Sequence, residues 1–160
     1  MIRGLHHAAI HVRDMDRMLA FYRDVVGLSV VWDEVFQGEI AANLTGYPNV
    51  RVRSASFLLG RPRVGEMHTL ELCQYQNPRP RDVGLQFADG GSKHIALYVD
   101  DLEGTYQELK ARGVTFRCPP QYYREDSTPP FVGVGETFFL DPEGNAIQLV
   151  ERVDLSDVTD

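Results

Sequence analysis

The feature that most constrains the fold of this chain is an internal repeat that covers most of its 160 residues. Residues 7–14, His-Ala-Ala-Ile-His-Val-Arg-Asp, return as residues 94–101, His-Ile-Ala-Leu-Tyr-Val-Asp-Asp, at an offset of 87 positions. Residues 70–72, Leu-Glu-Leu, return as residues 147–149, Ile-Gln-Leu, at an offset of 77. A stacked repeat protein normally needs at least three copies. Two long copies instead predict a paired module that encloses a single site.

Each copy is predicted to fold as β-α-β-β-β. In the first copy, residues 6–12 alternate with a period of two, and Asp14 caps a helix whose apolar stripe ends before Gly27. Further strands are predicted at 28–33, 50–59 and 68–75, with a loop at 34–50 that has room for a short helix. The second copy follows the same plan, with strands at 93–99, 114–117, 136–140 and 145–151, a helix that Asp100 and Asp101 open and Gly113 ends, and a loop at 119–130.

The segment between the copies is rich in Pro, Gly, Arg and Asp, as expected of a linker. We therefore predict a single domain over residues 1–160. Its parts are module one at about 5–78, a linker at about 79–91, module two at about 92–152, and a polar tail at 153–160.

Charge and composition exclude several classes of function. The formal net charge is −7 and the basic residues are scattered, which argues against a nucleic-acid binder. No apolar run is long enough to span a bilayer, and the first residues lack the apolar stretch of a signal peptide, so a cytoplasmic protein without a membrane partner is expected. Cys73 and Cys118 lie far apart without metal-ligand spacing, and both are predicted to be free thiols.

Strand alternation places four polar side chains at equivalent positions of the two copies. The apolar residues of each first and last strand must face the helix of their own copy, which leaves the intervening residues on the opposite face. The polar residues at the matched positions are His7, Glu71, His94 and Gln148. Two imidazoles, a carboxylate and an amide oxygen suit one divalent ion such as Zn, Ni, Co, Mn or Fe(II). Such a set leaves room for water or substrate, as Lewis-acid catalysis requires.

Other side chains on the same face are predicted to line a substrate pocket. They are His11, Cys73, Tyr98 and Val150. The identity of the substrate depends on the two variable loops, residues 34–49 and 119–132.

These motifs together resemble the vicinal oxygen chelate superfamily, also described as the glyoxalase/bleomycin resistance/dioxygenase fold. The resemblance rests on residues 7–14, 70–72 and 94–101, and on Phe-Leu-Asp-Pro-Glu-Gly-Asn-Ala-Ile-Gln-Leu at 139–149. It implies an α+β fold in which two tandem βαβββ modules form a cup-shaped mixed sheet around one metal site. It also implies that the four matched residues are the metal ligands and that the protein is a homodimer. Residues 70–78 look most like glyoxalase I-like and methylmalonyl-CoA epimerase-like members.

One position departs from the pattern of the family. The last ligand is usually Glu in catalytic members, whereas this chain has Gln148. An amide can bind a metal through its carbonyl oxygen but cannot accept a proton near neutral pH, so Gln148 is excluded as a general base. Glu71 is then the leading candidate for the catalytic base, and Glu34 and Glu39 are weaker candidates in the predicted loop.

Three functions remain open from the sequence. The first is a metal-dependent isomerase or lyase of the glyoxalase/epimerase type that acts on a small molecule, with Glu71 moving a proton next to a carbonyl. The second is an Fe(II) ring-cleaving dioxygenase of the extradiol type, which fits Gln148 less well. The third is a metal-free module that binds an antibiotic or another small molecule, and the presence of His7, Glu71 and His94 argues against it.

Overall fold

The computed structural model describes residues 1, 4–61, 67–123 and 132–152. The chain divides into two compact units, Met1–Gly84 and Leu85–Asp160, named unit 1 and unit 2 below. The predicted tail at 153–160 and most of the predicted loop at 119–130 lie outside the described residues. No helix in the described part of the chain is long and apolar enough to cross a membrane.

Unit 1 contains a four-stranded mixed sheet with the strand order β1-β4-β3-β2. The first strand runs parallel to the fourth, and the other neighbours are antiparallel. Its elements are β1 (His7–His11), α1 (Met15–Ala20) with a π-helical turn (Phe21–Val25), β2 (Ser29–Gln37), α2 (Glu39–Thr45), β3 (Arg51–Leu58) and β4 (Thr69–Asn77).

Unit 2 repeats this topology, with β5 parallel to β9 and the strand order β5-β9-β8-β6. A two-residue strand, β7, pairs with β8 off this path. Its elements are β5 (His94–Tyr98), α3 (Leu102–Ala111), β6 (Thr115–Phe116), β7 (Gln121–Tyr122), β8 (Val134–Leu140) and β9 (Ala146–Arg152). The predicted α+β fold with two βαβββ modules is therefore confirmed.

The helices begin and end where the sequence predicts. The side chains of Asp14 and Asp101 accept hydrogen bonds from the backbone amides of Arg17 and Gly104, which satisfies free donors at each helix start. Gly27 has φ of 88°, a left-handed conformation that a residue with a side chain adopts only with strain.

The segment 34–50 differs from its prediction as a loop. Strand β2 continues to Gln37 because residues 32–37 pair with β3 without interruption, ending where Gln37 faces Arg51. The Arg51 guanidinium donates to the Gln37 side chain over 2.8 Å and secures this end of the strand pair. The short helix that this segment had room for is α2. Glu34 therefore lies within a strand, and Glu39 is the first residue of α2.

Each sheet has one face covered by a helix of its own unit. In unit 1, this interface contains Met15, Met18 and Tyr22 from the helical segment and Phe57 and Leu72 from the sheet. All five side chains are almost fully buried. In unit 2, the same role falls to Leu102, Tyr106, Leu109, Phe139, Ile147 and Leu149. The opposite face is called the distal face below, meaning the face turned away from α1 in unit 1 and from α3 in unit 2.

An ion-pair cluster on the α1 side of unit 1 gives a pH-dependent prediction. Arg53 donates to both carboxylate oxygens of Asp33 over 2.7 Å and to Asp16 over 2.6 Å. The hydrogen bond from Arg53 lowers the pKa of Asp33 below its ordinary value of 3.8. The resulting stabilisation is complete above that ordinary value and is lost as the pH falls through the lower pKa of the folded state.

We expect Asp33→Asn to reduce the free energy of unfolding by about 1 kcal/mol at pH 7, because it removes a bidentate pair that is only partly exposed. The difference from wild type should shrink as the pH falls below 3.8, as measured by urea unfolding at several pH values. Asp16→Asn is the matched control, since that carboxylate is 84% exposed and its loss should cost less. An Asp33→Asn penalty that is unchanged at pH 3 would contradict this account.

Candidate metal and substrate site

Unit 1 brings two of the predicted metal ligands into contact. His7 begins β1 opposite Thr69, and Glu71 lies two residues further along β4, so both side chains project from the distal face. His7 Nε2 lies 3.3 Å from Glu71 Oε2. Two ligands at about 2.1 Å from one ion lie roughly 3.0–3.4 Å apart in octahedral or tetrahedral geometry, so this separation fits a shared divalent ion.

The other nitrogen of His7 also has a partner. His7 Nδ1 lies 2.9 Å from His6 Nδ1. If Nε2 binds a metal, the ring proton is on Nδ1, and this N–H group donates a hydrogen bond to His6 Nδ1. That bond fixes both the tautomer and the ring orientation. The sequence did not suggest this role, because alternation alone placed His6 on the opposite face from His7.

A serine holds the carboxylate of Glu71 from the neighbouring strand. Ser54 on β3 is almost fully buried and donates a hydrogen bond to Glu71 Oε1. The two carboxylate oxygens therefore have different partners, His7 at Oε2 and Ser54 at Oε1. Glu34, a weaker candidate for the base, faces Ser54 from β2, whereas Glu39 lies on α2.

Three buried polar atoms, one each on β2, β3 and β4, have no hydrogen-bond partner among the described residues. They are Trp32 Nε1, Ser56 Oγ and Thr69 Oγ1. Ser56 is the register partner of Glu71, and Trp32 is the register partner of Ser56. Buried polar groups almost always find a partner in the protein, in water or in a ligand. This part of the distal face thus suits a ligand or water that carries several polar atoms.

Unit 2 places the other two predicted ligands in the same register. His94 lies opposite Ala146, and Gln148 follows two residues further along β9, as Glu71 follows the partner of His7. The ring of His94 lies among aromatic rings, with centroids 6.1 Å from Phe87 and 5.4 Å from Phe138. This packing restricts the orientation of the imidazole.

The amide of Gln148 is held by a carboxylate that the sequence argument overlooked. Gln148 Nε2 donates to Glu136 Oε2 over 2.5 Å. The hydroxyl of Tyr123 donates to the other oxygen, Glu136 Oε1, over 3.1 Å, and this bond raises the pKa of Tyr123. Strand alternation could have identified Glu136, because residues 136 and 138 project from the same face of β8 and Phe138 is the register partner of Gln148.

The four residues predicted to line a pocket all lie on distal faces. In unit 1, His11 and Cys73 are register partners, and the His11 ring packs 5.5 Å from that of Tyr75. In unit 2, Tyr98 and Val150 are register partners, and Tyr98 is 78% exposed. Their role in binding a substrate stays a prediction.

Each unit contributes two of the four predicted ligands. Among the residues that the structure describes, no three His, Cys, Asp or Glu side chains lie together so that they could hold a metal ion. The donor set within each unit nevertheless fits a divalent ion, with an imidazole and an oxygen-bearing side chain in the same relative register.

The surroundings of Cys73 predict an unreactive thiol. Burial and the negative charge of Glu71 raise the pKa of Cys73 to about 12. The variant Cys118→Ser leaves Cys73 as the single thiol. At pH 8 in EDTA, we expect this thiol to react with iodoacetamide at least about 100-fold more slowly than glutathione, because the nucleophile is the thiolate and very little of Cys73 is ionised. Its rate should still rise about tenfold per pH unit at pH 10, and a plateau below that pH would contradict the prediction.

Comparison with known proteins identifies the class that this fold and site define. Residues 4–149 match the model of the Glyoxalase/Bleomycin resistance protein/Dioxygenase superfamily. The chain belongs to this superfamily, as its motifs predict.

Particular relatives are distant. The chain is 26% identical to a 2-epi-5-epi-valiolone epimerase from an Actinomyces species, over 92% of this chain and 78% of the relative. It is 25% identical to a probable lactoylglutathione lyase from a Synechocystis species, over 92% and 94% of the two chains. The crystal structure of a glyoxalase family protein from Bacillus cereus has the same fold, with a TM-score of 0.75, 18% identity, and 96% and 97% coverage.

Proposed function

We propose that this protein is a metal-dependent isomerase or lyase of the glyoxalase/epimerase type. His7, Glu71, His94 and Gln148 would hold one divalent ion, which would supply a binding point for adjacent oxygens of a small substrate. The reaction moves a proton on the carbon next to a carbonyl. The observation that carries the proposal is the contact of His7 Nε2 with Glu71 Oε2 at 3.3 Å, the spacing of neighbouring ligands on one ion.

The distant relatives support the reaction type. One carries the name of an epimerase and the other the name of a lyase. Both kinds of enzyme need a base beside an acidified C–H bond, and a carboxylate can serve as that base. Glu71 is a carboxylate on the distal face, whereas the equivalent residue in unit 2 is an amide that cannot accept the proton.

The residues of this chain have separate tasks in the proposed reaction. The ion, when bound, polarises the substrate carbonyl as a Lewis acid. His7 and His94 supply neutral imidazole nitrogens to hold it. Glu71 takes the proton from the carbon and returns it, while Ser54 keeps the carboxylate in place. The unpartnered atoms of Trp32, Ser56 and Thr69 support a substrate or water with several oxygen atoms on this face.

The first experiment measures metal in protein purified without a His-tag or chelator. We expect about one divalent ion per chain and a loss of most of it in His94→Ala. His68→Ala is the matched control, because His68 hydrogen-bonds the backbone oxygen of Leu5 and is not among the predicted ligands. The loaded protein should then exchange the proton next to the carbonyl in a screen of 2-oxo thioesters and hemithioacetals, followed by deuterium incorporation.

Two results would change the proposal. If no metal is present, and none is taken up from Zn, Ni, Co, Mn or Fe(II) solutions, the isomerase or lyase is excluded and a small-molecule binding module becomes the better account. If iron is bound and oxygen is consumed with catechols, the protein is a ring-cleaving dioxygenase instead.

A further inference from the structure

In each unit, one side chain of a neighbouring strand holds the candidate ligand on the last strand, which is Glu71 in unit 1 and Gln148 in unit 2. The two contacts are equivalent in position, but the holding side chain donates a hydrogen bond in unit 1 and accepts one in unit 2. In unit 1, Ser54 on β3 donates diagonally to Glu71 on β4. In unit 2, Glu136 on β8 accepts diagonally from Gln148 on β9. Each of these clamp residues, Ser54 and Glu136, lies two positions before the residue that directly faces the candidate ligand. The two pairs therefore occupy the same place in the repeated sheet.

The polarity of each clamp determines which atom its partner can present. A hydroxyl can donate to a carboxylate, which leaves carboxylate oxygen available for a second partner. An ionised carboxylate can only accept, so the amide of Gln148 must turn its NH₂ group toward Glu136. The carbonyl oxygen of Gln148 then points to the other side of the planar amide. Both units consequently present an oxygen atom from β4 or β9, although one residue is an acid and the other an amide.

We propose that Glu136 is a positioning residue that orients the amide of Gln148 so that its carbonyl oxygen serves as the ligand. Tyr123 donates to the second oxygen of Glu136 and so fixes the plane of the carboxylate. A carboxylate at position 148 would face that of Glu136 without a proton between them. The amide at position 148 is therefore matched to the acid at position 136. What the oxygen binds rests on the proposed function, but the orientation of the amide does not.

The orientation can be tested without metal by NMR of the Gln148 side-chain amide in EDTA. In wild type, we expect one amide proton shifted downfield and slowed in solvent exchange by its bond to the carboxylate. In Glu136→Gln both features should be lost. The matched control is Glu103→Gln, which removes the carboxylate that accepts from Gln107 on the exposed side of α3. That variant should move the Gln107 signals and leave those of Gln148 unchanged. Gln148 signals that are identical in wild type and Glu136→Gln would overturn the proposal.

A double-mutant cycle tests the matching of the two positions. Gln148→Glu alone should lower the melting temperature in EDTA at pH 7 by about 3–6 °C, because it sets two carboxylates against each other. Combining it with Glu136→Ser recreates the chemistry of the Ser54–Glu71 pair and should recover most of that loss. Effects of the two substitutions that simply add would overturn the proposed matching.

Zinc titration separates this inference from the proposed function. If wild type binds Zn²⁺, Glu136→Gln should bind it about tenfold more weakly, the usual effect of losing a group that orients a ligand, and Glu103→Gln should bind it as wild type does. Equal affinity in wild type and Glu136→Gln would overturn the positioning role. If wild type takes up none of the divalent ions, the proposed function fails, whereas the two metal-free measurements still decide how Glu136 orients Gln148.

Discussion

Replacing Glu71 with glutamine is expected to lower proton exchange next to a substrate carbonyl by about 10²–10⁴-fold while the protein still binds its metal. The amide keeps a carbonyl oxygen that can act as a ligand, as proposed for Gln148, but it cannot accept a proton near neutral pH. The substitution therefore separates the two tasks proposed for Glu71. Metal content and deuterium incorporation, measured on the same preparation, give the two readouts.

Controls decide whether a loss of exchange in Glu71→Gln comes from the base. Glu108→Gln, on the exposed side of α3 and paired with Arg112, should leave both readouts unchanged. Ser54→Ala should weaken exchange much less than Glu71→Gln, since it removes only the hydroxyl that holds the carboxylate. Full exchange in metal-loaded Glu71→Gln would show that the base lies elsewhere. Glu34, which faces Ser54 from β2, would then be the next residue to replace.

The placement of the candidate ligands followed from the sequence because strand periodicity is a backbone property. Side chains alternate across a strand, so apolar residues committed to the helix side leave their neighbours on the other face. That argument correctly put His7 and Glu71 on one distal face and His94 and Gln148 on the other. It also located the helix starts, because Asp14 and Asp101 can satisfy free backbone amides.

The extension of β2 and the existence of β7 depend on pairing partners that are distant in sequence. Residues 34–37 are strand because they pair with residues 51–54 of β3, and local breakers at Gly38 and Gly46 hide this. β7 has only two residues, and its pairing with β8 defines it. Local propensity is a weak guide to such elements, because tertiary pairing overrides it.

The partners of the candidate ligands were also beyond the sequence. The contacts of Ser54 with Glu71 and of Glu136 with Gln148 run diagonally between neighbouring strands. They require the register of β3 with β4 and of β8 with β9, which the sequence alone does not fix. Once the register is known, the amide at position 148, where the family usually has an acid, is found to contact the acid at position 136.

The second large effect is expected in the core, where Phe57→Ala should lower the free energy of unfolding by about 3–5 kcal/mol. Phe57 is fully buried between the sheet of unit 1 and α1, and its ring lies 5.7 Å from that of Tyr22. Its removal leaves a cavity that close-packed neighbours fill only in part. The loss should appear as a lower midpoint in urea unfolding followed by circular dichroism.

Phe36→Ala is the matched control, because that ring is 49% exposed on β2 and its removal should cost less than about 1 kcal/mol. The repeat supplies a second test, since Phe139 occupies the position in unit 2 that Phe57 occupies in unit 1. Phe139 is also fully buried, where its ring contacts Phe116 at 5.7 Å, so Phe139→Ala should destabilise unit 2 by a similar amount. If Phe57→Ala had a small effect and Phe36→Ala a large one, α1 would cover the face of the sheet that carries Phe36. Glu71 would then lie on the covered face and not on the distal face.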